Sequence, residues 1–139
     1  MRKKFFLDLF AGIGTMGLEA ISRGMSEVIF FENNVEVIQV LKKNCLSICK
    51  NNEFTIYEED LINSELEIEF RNISIIYIDP PYEKYNLQKL LENLISKINI
   101  QTIIALELSV KDRLKIPENI NVFQKKKYGK TVIYFLKLS

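Results

Sequence analysis

One run near the start of the chain constrains the fold more than any other. Phe5-Phe6-Leu7-Asp8-Leu9-Phe10 is apolar except for one carboxylate, and it leads into Ala11-Gly12-Ile13-Gly14-Thr15-Met16-Gly17. The first part predicts a buried strand. The second fits G-x-G-x-x-G, a tight glycine turn that lets a helix begin where a strand ends. From Met16 to Arg23, Leu18, Ala20 and Ile21 recur at helical spacing, and Gly24 closes the helix. Strand, glycine turn and helix in this order commit the chain to an α/β fold, because the helix must carry the chain back to lay a second strand parallel to the first.

The remaining 115 residues of the 139 continue the alternation. Val28-Ile29-Phe30-Phe31 predicts a second strand, ended by Glu32-Asn33-Asn34, either of whose asparagines can cap the next helix. In that helix Val37, Ile38, Leu41, Cys45, Ile48 and Cys49 form one apolar stripe. Thr55-Ile56-Tyr57 is a third strand running into Glu58-Glu59-Asp60. Ile73 to Ile78 is nearly all apolar and β-branched, as expected of a central strand covered on both faces, and it ends at Asp79-Pro80-Pro81-Tyr82. A helix from about Asn86 to Lys97, a strand over Ile103–Leu108, and an antiparallel pair over Asn121–Lys126 and Thr131–Lys137 turning at Tyr128-Gly129 complete the chain. The expectation is one domain over residues 1–139: a doubly wound, mostly parallel seven-stranded sheet with an antiparallel final hairpin.

Composition removes several chemistries. The chain has no histidine, which excludes Ser-His-Asp and Cys-His catalysis and most zinc sites. Its two cysteines, Cys45 and Cys49, lie one helical turn apart and read as buried thiols rather than a disulfide framework. A protein that uses neither histidine nor metal usually borrows its reactivity from an organic cofactor. The formal net charge is +1, so any nucleic-acid contact must be a local patch. No apolar run approaches the ~20 residues of a membrane span. The apolar stretch after Met1-Arg2-Lys3-Lys4 is broken at once by Asp8, so a cytoplasmic protein is expected.

Ligands of doubly wound sheets bind beyond the carboxyl ends of the strands. The polar residues fall there: Asp8 with Gly12 and Gly14, then Glu32, Asp60 and Asp79. The glycine motif with Glu32, fifteen residues after Gly17, would suit a nicotinamide dinucleotide or S-adenosylmethionine. Asp8 favours the latter, because a carboxylate beside the turn suits a cationic aminoacyl group and repels a pyrophosphate. Asp79-Pro80-Pro81-Tyr82 points the same way. A base amino group is a weak nucleophile whose lone pair is delocalised into the ring. Acceptors on its N–H bonds favour the pyramidal, reactive form. The Asp79 carboxylate and the Pro80 carbonyl are such acceptors, the two prolines hold them rigid, and Tyr82 can stack on the base.

These motifs resemble the bacterial 16S rRNA guanine-N2 methyltransferases. The resemblance rests on Asp8 to Gly24, on Phe30-Phe31-Glu32-Asn33-Asn34, on Asp79-Pro80-Pro81-Tyr82 and on Tyr128-Gly129-Lys130-Thr131, and it covers nearly the whole chain. It implies a class I methyltransferase fold, S-adenosyl-L-methionine as cofactor, and a guanine 2-amino group of small-subunit rRNA as target, with 16S rRNA or the small ribosomal subunit as partner and a monomeric enzyme. It assigns cofactor binding to Asp8, Phe10, Ala11, Gly12, Gly14, Glu32, Asn33 and Asp60, with Glu32 on the ribose and Asp60 on the adenine amino group; Glu58 or Glu59 can fill the role of Asp60. Catalysis falls to Asp79, Pro80, Pro81 and Tyr82, and no metal is implied. Two positions depart from the family pattern. Ile13 stands where a small polar residue is common. Met1 lies seven residues before Asp8, where family members carry an upstream helical segment, so a shortened core is expected.

The same residues leave other readings open: a DNA adenine amino methyltransferase using the same loop, a catalytically silent shortened remnant that binds cofactor or RNA, and a nicotinamide-dependent oxidoreductase. Lys125-Lys126-Lys127 and Lys130 around Tyr128 make a basic aromatic edge, either a solvated strand end or an rRNA phosphate contact. Glu107 either lines the pocket or pairs with a lysine. Phe54, Tyr57 and Tyr77 are expected in the core.

Overall fold

The structure is a computed structural model that describes residues 3–59, 61, 66–81 and 86–139. Its elements run β1 (Phe5–Leu9), α1 (Thr15–Ser22), β2 (Glu27–Phe31), α2 (Val35–Ile48), β3 (Phe54–Tyr57), β4 (Ile73–Ile78), α3 (Leu87–Ile95), β5 (Ile103–Ser109), β6 (Ile120–Tyr128) and β7 (Thr131–Leu138). The strands form one sheet in the order β3-β2-β1-β4-β5-β7-β6. The first five of these positions are joined in parallel, and β7 then pairs antiparallel with both β5 and β6. The order reverses between β1 and β4, which makes the carboxyl ends of those two strands the crevice of the sheet.

Alternation along the strands sends side chains to two cores. Leu7, Leu9, Ile76, Ile78, Ile104 and Leu106 pack with Leu90, Leu91 and Leu94 of α3. Phe6, Val28, Phe30, Tyr77 and Ala105 pack on the opposite face, with Leu18 of α1 and Leu41 and Cys45 of α2. Strands covered on both sides must be apolar throughout, which is why β1, β2 and β4 carry so few polar residues.

Gly17 shows how closely α1 sits. A Cβ there would lie 2.4 Å from Phe30 Cε1 and 2.7 Å from Val28 Cγ2, so only glycine lets the helix rest on β2. Asn34, rather than Asn33, caps α2: its Oδ1 accepts from the backbone N–H groups of Glu36 and Val37, both at 3.1 Å. Asn86 caps α3 through Lys89 N–H at 3.1 Å.

Four sequence expectations need correction. Ile48 is 54% exposed, whereas its neighbour Cys49 is half-buried against the core; Val37 is also half-buried, and Ile38, Leu41 and Cys45 carry the stripe. Phe54 and Tyr57 are half-buried, since β3 is the edge strand of its side of the sheet; Tyr77 is buried as expected. The hairpin turns at Gly129-Lys130, with Tyr128 still in β6, because Gly129 supplies the positive φ of 58°. Asp8 is not at a strand tip but inside β1, 1% exposed. The lysines of β6 lie on the outer strand of the sheet, where charge discourages pairing with another chain.

Candidate active site

The turn after β1 is built by backbone conformation. Phe10 has φ 59°, unusual for a residue with a side chain, and Gly12 and Gly14 have φ 59° and 91°. Ala11 N–H continues the parallel ladder by donating to Phe31 O at 2.9 Å, and Gly14 N–H closes the turn on Ala11 O at 3.1 Å. The strained residue is therefore Phe10, whose side chain is turned into a groove at the sheet end. Ile13 is half exposed, and its carbonyl accepts from Asn44 Nδ2 at 2.9 Å, so this turn is held through the backbone of Ile13 and not its side chain.

Two carboxylates brace the turn. Asp8 Oδ2 accepts from Gly17 N–H at 3.2 Å, tying β1 to the first turn of α1. Burial is the main reason its pKa is pushed up to about 8. The Gly17 hydrogen bond opposes that rise, and the charges of Asp79 and Glu32 add to it. Glu32 follows β2 and reaches across: Oε1 accepts from Gly12 N–H at 2.8 Å, and Oε2 accepts from Asn33 and Asn34 N–H at 3.1 and 3.0 Å. A carboxylate has about four acceptor positions, so Glu32 keeps capacity for a hydroxyl donor.

Phe10, Phe31, Glu32, Asn33, Glu59, Leu61 and Pro81 line the groove. Flat apolar walls beside two carboxylates suit a purine ring with its ribose hydroxyls and amino group, so this donor set fits the adenosine part of S-adenosylmethionine. The acidic run after β3 is also sorted here. Glu59 lines the groove, while Glu58 is drawn to Lys42 Nζ at 3.3 Å; Asp60 lies outside the described residues.

On the other side of the Asp79-Pro80-Pro81 segment opens a much larger cleft of ≈690 Å³. Asp79, Pro80 and Pro81 form one wall, Leu87 another, and Glu107 through Ser109 with Lys111, Asp112, Arg113, Lys130 and Thr131 the rest. Tyr82 lies outside the described residues. Glu107 lines this cleft and accepts a hydrogen bond from the Tyr77 hydroxyl, so the pocket-lining alternative is the one realised. Burial, then the charge of Glu107, push the Asp79 pKa up to about 6. Pro81 lines both cavities, which makes this segment the partition between them.

Sequence reasoning missed Lys111, Asp112 and Arg113. The signal was present: they lie one residue beyond the end of β5, at the same carboxyl end of the sheet as Asp79. It was obscured because a charged tripeptide in a loop looks like ordinary solvated surface. Lys130 was read as part of a basic edge with Lys125-Lys126-Lys127, not as a member of a cleft. It enters the cleft because β7 pairs with β5 and brings the turn back over that strand end.

A doubly wound sheet in this order, with an antiparallel pair at one edge and the glycine turn at its crevice, is the class I methyltransferase fold. The chain belongs to the family described as conserved hypothetical protein 95, whose model matches residues 1–137 and which is the family of the ribosomal RNA small subunit methyltransferase D proteins. Over 140 residues it is 31% identical to a Bacillus subtilis protein named "Putative rRNA methyltransferase YlbH", covering 94% of this chain and 74% of that one. Over 127 residues it is 31% identical to ribosomal RNA small subunit methyltransferase D of Buchnera aphidicola, covering 86% of this chain and 63% of that one. Among solved structures, a conserved hypothetical protein from Streptococcus pyogenes matches the fold with a TM-score of 0.88 at 24% identity, over 99% of this chain and 88% of that one. The protein is thus a methyltransferase, and the methyl donor of its class is S-adenosylmethionine. Among the described residues, no helix is long and apolar enough to cross a membrane.

Proposed function

We propose that this protein methylates the exocyclic 2-amino group of a guanine in small-subunit rRNA, acting as a cytoplasmic monomer built from one domain over residues 1–139. The observation that carries this reading is the partition. Pro81 lines a groove of adenosine-like chemistry and, together with Asp79 and Pro80, a cleft large enough for a nucleotide, so one short segment borders both.

When bound, S-adenosylmethionine supplies a methyl group on a cationic sulfonium. Glu32 receives ribose hydroxyls, Glu59 or Asp60 an amino group, and Phe10 and Phe31 enclose the ring. Asp8 sets the turn through Gly17 and places its carboxyl group beneath it, where a nearby cation favours ionisation. In the cleft, the Asp79 carboxylate and the Pro80 carbonyl accept the two N–H bonds of the target amine and hold its lone pair out of the ring plane. With its pKa raised to about 6, Asp79 is ionised at neutral pH yet basic enough to take the proton that the amine sheds on methylation. Lys111, Arg113 and Lys130 supply positive charge for the phosphates on either side of an unpaired or flipped-out base. Tyr82 stacks on that base.

The test uses methyl-labelled S-adenosylmethionine with unmodified small-subunit rRNA, with assembled small subunits and with double-stranded DNA, followed by digestion and identification of the labelled nucleoside. Label in N2-methylguanosine from either rRNA substrate is expected. Label only in N6-methyladenine of DNA would replace this reading with that of a DNA adenine methyltransferase. A folded protein that binds S-adenosylhomocysteine but labels none of the three would make it a silent remnant.

A further inference from the structure

The partition leaves Glu107 and Tyr77 unexplained. Tyr77 and Ala105 are partners in the β4–β5 register, and both lie in the core on the α1 and α2 side of the sheet. Asp79 and Glu107 each stand two residues further along, so alternation brings both carboxylates out on that same side, next to each other at the strand ends. Both line the large cleft. Among the described residues, no ion pair reaches either one. The Tyr77 hydroxyl donates to Glu107 Oε2, and its ring is 7% exposed, so the tyrosine is a rigid post that fixes the Glu107 carboxylate. One donor leaves most of the acceptor capacity of Glu107 unused.

We propose that Glu107, fixed by Tyr77, is the residue that selects guanine, its carboxylate accepting the ring N1–H while Asp79 and Pro80 accept the neighbouring 2-amino group. This rests on the reaction proposed above. Its basis is the pattern of donors on each base. Guanine presents N1–H and the 2-amino group side by side, three N–H bonds for the three acceptors Glu107, Asp79 and Pro80. Adenine presents its 6-amino group beside the lone pair of N1, and cytosine its 4-amino group beside the lone pair of N3. In the same pose either base would press a lone pair against the Glu107 carboxylate. A site built to receive a donor rejects analogues lacking it far more strongly than an apolar site rejects a misfit. Closeness of the two carboxylates also shows in the charge of Glu107 helping to raise the Asp79 pKa, an unfavourable pairing that guanine's two donors would relieve.

The test compares wild type, Glu107→Gln and Tyr77→Phe on unmodified small-subunit rRNA, counting methylated guanosine, adenosine and cytidine after digestion. Binding of S-adenosylhomocysteine is measured in parallel to confirm that each variant is folded. Glu107→Gln, whose amide can offer a donor to N1 of adenine, is expected to lower guanine methylation and to reduce the preference for guanine by about 10- to 100-fold. Tyr77→Phe, which keeps the ring, is expected to reduce the preference by about 3- to 10-fold, as one hydrogen bond to a charged group is lost. Should Glu107→Gln not fold, Tyr77→Phe carries the test alone. An unchanged preference in a folded variant overturns the inference, whether its rates are unaltered or fall equally on every base. A wild-type product that is not methylguanosine overturns the reaction and this inference together, and is recognisable before any variant is made.

Discussion

The two cavities on either side of Asp79-Pro80-Pro81 are built by different means. The groove beside Phe10 and Glu32 is mainly backbone architecture. Positive φ at Phe10, Gly12 and Gly14 shapes the turn, and three backbone N–H groups converge on Glu32. The larger cleft is mainly side-chain architecture, with Asp79 directly after β4, Glu107 from β5, Lys111 and Arg113 from the loop after it, and Lys130 from the hairpin. A backbone site depends on local chain geometry and tolerates little change in residue size. A side-chain site depends on residues far apart in sequence and can be altered one group at a time. Substitutions in the groove should therefore cost stability or cofactor binding, and those in the cleft should cost turnover or specificity.

The largest effect is expected at Asp79. Asp79→Asn should lower kcat by about 10²- to 10³-fold, the scale of losing one preorganised electrostatic partner, while S-adenosylhomocysteine binding by calorimetry stays within a few-fold. Loss of both together would erase the distinction between groove and cleft.

Gly17→Ala tests the backbone side. Its new methyl meets Phe30 and Val28, so thermal or urea unfolding should show a loss of about 1–3 kcal/mol from overpacking. A neutral result would mean that α1 can lift off β2 freely.

Asp8 gives a smaller effect with a distinctive pH signature. The unfolded carboxyl group ionises near 3.8, whereas the folded one holds its proton to about 8. The folded state therefore bears a growing cost of ionisation as pH rises from about 4 to about 8, and none below that range. Asp8→Asn keeps an acceptor for Gly17 N–H and removes the charge. It should be stabilised relative to wild type by about 1–2 kcal/mol at pH 8, part of the relief being offset by the unpaired amide N–H₂. This advantage should vanish by pH 4, as measured by urea unfolding across the pH range.

Asp79 titrates near 6, so kcat should fall as pH drops below about 6, where the protonated carboxyl group can no longer take the proton that the amine sheds. In Glu107→Gln that acid limb should move to lower pH, because one cause of the raised pKa is gone. The smallest effects lie at the cations. Lys111→Ala, Arg113→Ala and Lys130→Ala should each reduce the salt dependence of rRNA binding by about one unit of log–log slope, without changing which base is methylated.

The contrast between the cavities also explains what the sequence made legible. The glycine motif, Glu32 and the Asp79-Pro80-Pro81 segment are contiguous, and each local run states its own geometry; strand β4 was recovered to the residue for the same reason. Asp8 was legible as a carboxylate beside the glycine turn, but not as a buried brace on Gly17, because burial depends on α1 closing over β1. Glu59 could not be separated from Glu58 until Lys42 was seen to draw Glu58 away. The cleft was the least legible region. Lys111, Arg113 and Lys130 converge only through the pairing of β5 with β7, and no local pattern encodes that meeting.

We propose that cofactor and base occupy opposite sides of the Asp79-Pro80-Pro81 segment. The most direct test is calorimetric titration of S-adenosylhomocysteine into wild type, Glu32→Ala and Asp79→Asn, each first shown to be folded by its thermal transition. Binding is expected to be lost or weakened at least about tenfold in Glu32→Ala, on the scale of charged hydrogen bonds removed, and retained in Asp79→Asn. Binding retained without Glu32 and lost without Asp79 would contradict this placement.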